Sequence, residues 1–319
     1  MSLVRHKILV LSGKGGVGKS TVSSQLALAL MSAGYRVGLL DVDLCGPSIP
    51  TILGLVGQSM VSSTAGWVPV YVRGSNDTAN GSTVSSNGDS GSEQEQQRQR
   101  DAEQHHQPHQ QQQQRMAVMS IGFLSEDSNA PVIWRGPKKT SVIRQFLEEV
   151  CWGPLDFLVI DTPPGTSDEN ISVCEQLVKY MPDGAILVTT PQSVSTDDVR
   201  KEVSFCKAVN IPILGIVENM SGFICPCCGE QYNIFSKGGG EALAKEIGVP
   251  FIGRIPLDPS IAQACDQGKS FIDTYKDSKS LDALRDFAHS FEKKKEEEDT
   301  MTHSQASSSA MKPSNTTQP

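Results

Sequence analysis

The sequence predicts an α/β domain built on a doubly wound, mostly parallel sheet with helices on both faces. Short runs rich in Val, Ile and Leu alternate with helical stretches along nearly the whole chain, as expected of strands covered by crossover helices. The first of these runs leads directly into a glycine-rich turn and then a helix. Three motifs with chemical potential fall just after strand ends, the edge where such sheets collect ligands.

The elements follow in order. Lys7–Leu11 reads as a buried strand. Ser20–Ala33 is an Ala-rich apolar helix, with Gly34 placed to close it at the C′ position. Arg36–Leu40 is the next strand and runs into Asp41 and Asp43. Trp67–Val72 and Met116–Ser120 form a hairpin whose turn has been expanded. A helix over Lys138–Cys151 precedes a strand over Asp156–Ile160, and a helix over Ser167–Met181 precedes a strand over Ala185–Thr189. Asp168 fits a helix cap better than a catalyst. A helix near Thr196–Val209 and a strand over Ile213–Val217 lead to a cysteine-bearing loop. A helix over Glu241–Ile247, a strand over Phe251–Ile255 and helices near Pro259–Gln267 and Leu281–Phe291 complete the domain.

The chain has 319 residues and a net charge of −8, with 38% apolar residues. A globular chain usually shows about 45–50% on a scale that also counts Gly. Most of the deficit lies in Gly74–Arg115, whose one large aliphatic residue is Val84 and which holds eleven Gln, together with His105, His106 and His109. Its composition predicts a disordered insert. Lengthening a hairpin turn to this extent costs only about 2 kcal/mol of loop closure. The polar segment Lys293–Pro319 predicts a disordered tail. The expected organisation is therefore one domain over residues 1–292, interrupted at 74–115, followed by a tail over 293–319.

Outside these two segments the net charge is about −5, with no basic stripe to meet a phosphate backbone. Nucleic-acid binding is not expected. No apolar run approaches the roughly 18 residues a membrane span needs. The N-terminus enters a strand without room for a targeting segment, so a cytoplasmic address is expected.

Gly13-Lys14-Gly15-Gly16-Val17-Gly18-Lys19-Ser20 satisfies the phosphate-loop pattern G-x-x-x-x-G-K-[ST] in its proper context, after a strand and opening a helix. Backbone N–H groups freed by the glycines would turn towards phosphate oxygens, and the helix N-terminus adds partial positive charge. Lys19 would bridge β- and γ-phosphates, and the Ser20 hydroxyl would ligate Mg²⁺ beside Thr21. The second lysine, Lys14, converts the loop into the deviant K-G-G-V-G-K-[ST] form. Here the sequence resembles the family of dimeric ATPases that includes nitrogenase iron protein, septum-site and partition ATPases, and arsenite pump ATPases. The resemblance implies that Lys14 reaches the partner subunit's nucleotide. It also implies that Asp43 positions or activates the attacking water, with Asp41 near Mg²⁺. Asp161, leading Thr162-Pro163-Pro164-Gly165, would be the Walker B acid acting on Mg²⁺. Taken singly, each of these Asp residues also suits a helix cap or a turn. Asn219 resembles the family's adenine-reading residue, and an amide suits adenine because it both donates and accepts.

Of eight cysteines, Cys45, Cys151, Cys174, Cys206 and Cys265 stand alone, as small core residues often do. Cys225 and Cys228 form C-x₂-C, with Cys227 between them expected to point away. Zinc binding, redox exchange and chance all produce that spacing. A tetrahedral zinc or a cubane cluster wants four thiolates, and the chain has no second pair. Two subunits would supply four, the same assembly that Lys14 requires.

Ser12–Thr21, Asp41–Ser48, Asp161–Ser167, Glu218–Cys228, Phe235–Glu241 and Ile255–Pro259 together resemble the Mrp branch of this superfamily. They are most similar to its nucleotide-binding-protein-2 type, cytosolic scaffolds of iron–sulfur assembly. The resemblance implies ATP and a labile [4Fe–4S] cluster shared between subunits and transferred to apo-proteins with the help of targeting factors. It further implies pairing with a longer paralogue bearing an N-terminal four-Cys site, with a homodimer as the other assembly. Two features depart from the pattern: Gln231 stands where relatives often carry a further Cys, and Cys227 offers an alternative thiolate. Two other readings remain open at this point. A partition or cell-division regulator would want a basic amphipathic C-terminus, but Lys293–Lys295 run straight into Glu296–Asp299. Structural zinc between two cysteine pairs would make the chain a nucleotide-dependent interaction module.

Overall fold

Val4–Ser12 (β1) runs through the middle of an eight-stranded sheet in the structure, a computed structural model. Residues 1–43, 46–73, 115–124, 136–166, 168–225, 227–228 and 230–291 are described. β1 is flanked in parallel by Leu155–Asp161 (β7) and Gly184–Thr189 (β8). Beyond β7 lie Val37–Asp41 (β2), Arg115–Ser120 (β6) and Val70–Arg73 (β5); beyond β8 lie Ile213–Glu218 (β9) and Phe251–Arg254 (β12). Every pairing is parallel except β5 with β6. The expected doubly wound sheet is therefore present.

Alternation along the strands divides the core into two layers. Ile8 and Val10 of β1 face one layer with Lys19–Ser32 (α1), the short helix Ile49–Ile52 (α2) and three helices late in the chain. Leu9 and Leu11 face the other, against Gly136–Glu148 (α3), Asp168–Val178 (α4), Ser193–Ala208 (α5) and Gly239–Ile247 (α6). The late helices of the first layer are Pro259–Asp266 (α7), Phe271–Thr274 (α8) and 279–291 (α9). No helix among the described residues is long and apolar enough to cross a membrane.

Two details differ from the sequence reading. The run Trp67–Val72 is not one strand, because Pro69 offers no N–H to a ladder. Gly66–Val68 (β4) pairs instead with Val61–Ser63 (β3) in a separate two-stranded sheet, and Trp67 is tied to Glu149 by a 2.8 Å backbone bond. Arg115, counted with the insert, opens β6 opposite Arg73. The expected hairpin is formed by β5 and β6, whereas residues 74–114 and the tail over 293–319 lie outside the described residues.

α6 starts inside the run Gly238-Gly239-Gly240, earlier than its apolar pattern suggests, because the Glu218 carboxylate caps it. That carboxylate accepts from the N–H groups of Gly238 at 3.0 Å and Gly240 at 2.6 Å. A cap drawn from twenty residues upstream leaves no local signal.

Glu202 on α5 is fully buried, and neither carboxylate oxygen has a hydrogen-bond partner among the described residues. Burial first, and then the neighbouring Asp198, pushes its carboxyl up to about 7. The folded chain thus holds a proton that the unfolded chain releases above its ordinary value near 4.5. Stability from this group is present at low pH and is lost as pH rises towards 7 and beyond, by roughly 2 kcal/mol between pH 5 and pH 8. Glu202→Met should therefore raise the melting temperature, and more at pH 8 than at pH 5. An equal effect at both values, measured by thermal unfolding, would count against this assignment.

Candidate functional site

The phosphate loop is the turn between β1 and α1, at the C-terminal edge of the sheet. Ser12 steadies its start by donating from Oγ to the Lys14 carbonyl at 3.1 Å. Gly18 ends it at φ 84°, a left-handed conformation at the N-cap of α1. A Cβ there would also collide with Asn219 Nδ2, so glycine is required twice over. No side chain caps α1 and its first turn holds no acid, which leaves first-turn N–H groups to an anion. Gly15 and Gly16 face open space, and Lys14 is half-buried beside them. Val17 contributes main chain only, its side chain being in the core.

Asp161 ends β7 beneath this loop with its side chain fully buried. It accepts three hydrogen bonds: from Lys19 Nζ at 2.7 Å, Ser20 Oγ at 2.6 Å and Ser23 Oγ at 2.7 Å. Strand register sets Asp41 directly opposite Asp161. Asp41 accepts from Ser120 Oγ at 2.9 Å and from the Asp43 N–H at 3.1 Å. Burial, reinforced by the Asp161 carboxylate and opposed by Lys19, pushes the Asp41 carboxyl up to about 8. At neutral pH Asp41 therefore favours its protonated form. Asp43 lies further out and accepts from the Gly46 N–H at 3.2 Å. The turn after Asp161 rests on the phosphate loop itself, since the Gly165 N–H donates to the Ser12 carbonyl at 2.7 Å.

All the P-loop and acid positions singled out in the sequence thus meet at one edge. Two hydroxyls escaped notice there. Ser23 is one helical turn beyond Lys19, and its polar side chain inside an otherwise apolar stretch was the available signal. Ser120 reaches Asp41 only because β6 lies beside β2, which no local pattern reveals.

Asn219, just beyond β9, donates from Nδ2 to the Val17 carbonyl at 2.8 Å and so ties the loop to the next strand end. Beside it opens a cavity of about 110 Å³, walled by residues that include Thr21, Gln25, Asn219, Pro256 and Ile261. Its mostly apolar walls suit a planar base.

The cysteines sit on a small hairpin formed by Phe223–Ile224 (β10) and Gln231–Tyr232 (β11). Gln231 is thus a strand residue facing Ile224. Cys225 is half-buried, Cys227 and Cys228 are exposed, and all three are free thiols. Hydrogen bonds from the backbone N–H groups of Cys228 and Cys227, and from both of their thiols, hold the Cys225 thiol below its ordinary value. A loop that aims N–H groups at a sulfur favours the thiolate, the form that binds metals. Among the described residues no three His, Cys, Asp or Glu side chains are placed to hold one metal ion.

The hairpin is fastened to the cavity wall. Leu257 donates its N–H to the Gly222 carbonyl at 2.8 Å and bridges to Phe223, and the Ser221 N–H donates to the Ile255 carbonyl at 2.9 Å. One segment, residues 255–258, thereby borders both the base-sized cavity and the cysteine hairpin.

A strand, a deviant phosphate loop and a buried acid at the next strand end define a P-loop nucleoside triphosphatase. The family described as NUBPL iron-transfer P-loop NTPase (ParA) matches residues 3–90 and 87–292, and the chain belongs to it. It is 50% identical over 303 residues to the cytosolic Fe-S cluster assembly factor NUBP2 homolog of Dictyostelium discoideum, covering 95% of this chain and 100% of that one. It is 51% identical over 281 residues to the homolog of the same name in Nematostella vectensis, covering 88% and 90%. A solved nucleotide-binding protein from Archaeoglobus fulgidus in complex with ADP superposes with a TM-score of 0.63 at 33% identity, covering 86% of this chain and 90% of that one. The MinD cell division protein of Aquifex aeolicus shares the fold at a TM-score of 0.55 and 17% identity, covering 89% and 95%.

Gly18→Ala should test the double constraint on the loop. The strained φ and the displaced Asn219 side chain should together cost about 1–3 kcal/mol of stability in urea unfolding. They should also weaken nucleotide binding. Unchanged stability and binding would mean that the loop accommodates a Cβ after all.

Proposed function

We propose that this chain is an ATP-binding scaffold of cytosolic iron–sulfur protein assembly. In this reading it holds a labile [4Fe–4S] cluster at a dimer interface and delivers it to apo-proteins. The observation that carries the reading is the cysteine knuckle. Cys225 and Cys228 are presented at the surface, on a hairpin joined by Leu257 to the wall of the base-sized cavity. The names of the relatives at about half identity point to the same task and the same compartment.

The donor set fits each group the reading requires. The uncapped N-terminus of α1, with Lys19, is suited to phosphate oxygens. Ser20 Oγ and Asp161 Oδ2, at 2.6 Å from one another, offer the neutral and charged oxygens that Mg²⁺ prefers. When bound, that ion would supply charge neutralisation at the phosphates. Lys19 and the Gly13–Thr21 main chain would orient the triphosphate. Asp43, further from the loop floor than Asp41 and Asp161, would position the attacking water. Asp41 would hold a proton or release it according to the charge gathered around Asp161. Asn219 would face the base.

Hydrolysis is expected to be slow in an isolated subunit, because the half-buried Lys14 would serve the nucleotide of the partner. Two thiolates per chain leave a four-thiolate cluster incomplete, so the cargo would sit on the two-fold axis between two knuckles. The partner would be the longer paralogous scaffold with its own N-terminal four-Cys site, with a homodimer as the form adopted alone. Exposure of Cys228 at the hairpin surface suits a cluster that must be given up to thiolates of an apo-protein.

Anaerobic reconstitution with iron and sulfide, followed by iron analysis and Mössbauer spectroscopy, tests this reading. The wild-type chain should take up about four iron per dimer with the spectrum of a [4Fe–4S] centre, and Cys225→Ala/Cys228→Ala should take up none. Equal loading of the two proteins would remove the knuckle from the site. Tight zinc in place of iron would favour the structural-zinc module.

A further inference from the structure

Asn170 is a buried polar residue that neither core packing nor the phosphate loop explains. On α4 it heads the inward stripe Asn170, Val173, Cys174 and Leu177, each of them buried. These positions repeat with helical spacing, and the rest of the stripe belongs to the second core layer. A leucine would serve packing better there, because burying an amide is costly unless it is hydrogen-bonded. Both ends of this amide find partners. Nδ2 donates to the Gly165 carbonyl at 2.6 Å, and Oδ1 accepts from the Cys174 thiol at 3.5 Å. A flipped amide would set its oxygen against the Gly165 carbonyl, so the pairing also fixes which way the group faces.

The bond acts on the turn after Asp161. Thr162 opens that turn, its hydroxyl donating to the Val10 carbonyl of β1 at 2.9 Å. Pro163 and Pro164 bring no N–H, so Gly165 carries the next main-chain donor. That N–H reaches the Ser12 carbonyl at 2.7 Å. Gly165 has φ 74°, and a Cβ there would sit 3.5 Å from the Gly13 carbonyl oxygen, so the turn lies against the loop. The two peptide groups flanking Gly165 are thus held separately, one by Ser12 and the other by Asn170. Ser12 belongs to the start of the loop itself, whereas Asn170 ties the turn to a core helix.

We propose that Asn170 is a positioning residue for nucleoside triphosphate hydrolysis: its amide holds the Gly165 carbonyl and so keeps the turn after Asp161 seated on the phosphate loop. This role rests on the nucleotide reading above and adds a residue to it. Lys19 and the Ser20–Asp161 pair serve the β- and γ-phosphates of a triphosphate, and this turn leaves Asp161 and returns to the loop beside them. Released from Asn170, it would leave the loop's grip on two phosphates intact. It would loosen the wall beside the third phosphate and the attacking water. Misalignment at that point lowers turnover far more than affinity.

The variant to measure in the full chain is Asn170→Leu, which fills the stripe and removes the amide, with Asn170→Ala as a second. Calorimetry with Mg²⁺ and ADP should give an affinity within about threefold of wild type, and the KM for ATP should change no more than that. The kcat for ATP hydrolysis should fall at least about tenfold. Amide hydrogen exchange at Gly165 in the nucleotide-free chain should quicken at least about tenfold, a readout that needs no turnover. Wild-type exchange at Gly165 in the folded variants would overturn the proposal, and so would an unchanged kcat. A parallel loss of ADP affinity and kcat would also overturn it, because that pattern marks general damage to the loop. Failure of wild type to bind ADP is a distinct result, which would remove the phosphate-site reading itself and this role with it.

Discussion

A single buried carboxylate organises the functional edge of this protein. Asp161 is wholly enclosed at the end of a central strand, where an isolated charge would cost several kcal/mol. Lys19 and the hydroxyls of Ser20 and Ser23 offset that cost, each within 2.7 Å. All three belong to the first turns of α1, so the interaction also fixes how the helix meets the sheet and where its N-terminus points. Asp41 is placed by register across from the same carboxylate and has its proton affinity raised by it. The turn that follows Asp161 closes on Ser12 through Gly165. Removing either charge from the Lys19–Asp161 pair would leave the other buried alone, at about 3–5 kcal/mol.

From that node the structure extends along the strand ends to the cysteines. Asn219 connects the phosphate loop to the end of β9, and Glu218 beside it holds Ser221 at 2.5 Å and caps α6. The Ser221 and Leu257 backbone bonds then join residues 255–258 to the hairpin bearing Cys225. The base-sized cavity and the cysteine knuckle are therefore neighbours sharing one short wall. A nucleotide that shifts residues 255–258 would shift the base of the knuckle, giving a direct physical route by which phosphate chemistry could bear on a metal cargo.

Much of this was legible in the sequence because the informative signals are local. A phosphate loop is a contiguous motif with an obligatory strand before it and a helix after it, and Asp41, Asp161 and Asn219 each stand directly at strand ends. The C-x₂-C pair is local as well. What stayed hidden depends on contacts distant in sequence. Ser120 reaches Asp41 by lateral strand order, and Glu218 caps a helix twenty residues away. The run around Trp67 misled because alternation of apolar residues outweighed the proline within it.

In the proposed assembly two chains, each contributing Cys225 and Cys228, would enclose one cluster while each binds a nucleotide beside Asp161. Native mass spectrometry of the anaerobically reconstituted chain reads this stoichiometry directly. One dominant cluster-bearing species, with the mass of two chains and a single [4Fe–4S] unit, is the expected result. A single chain carrying a complete cluster, or a dimer carrying two, would contradict it.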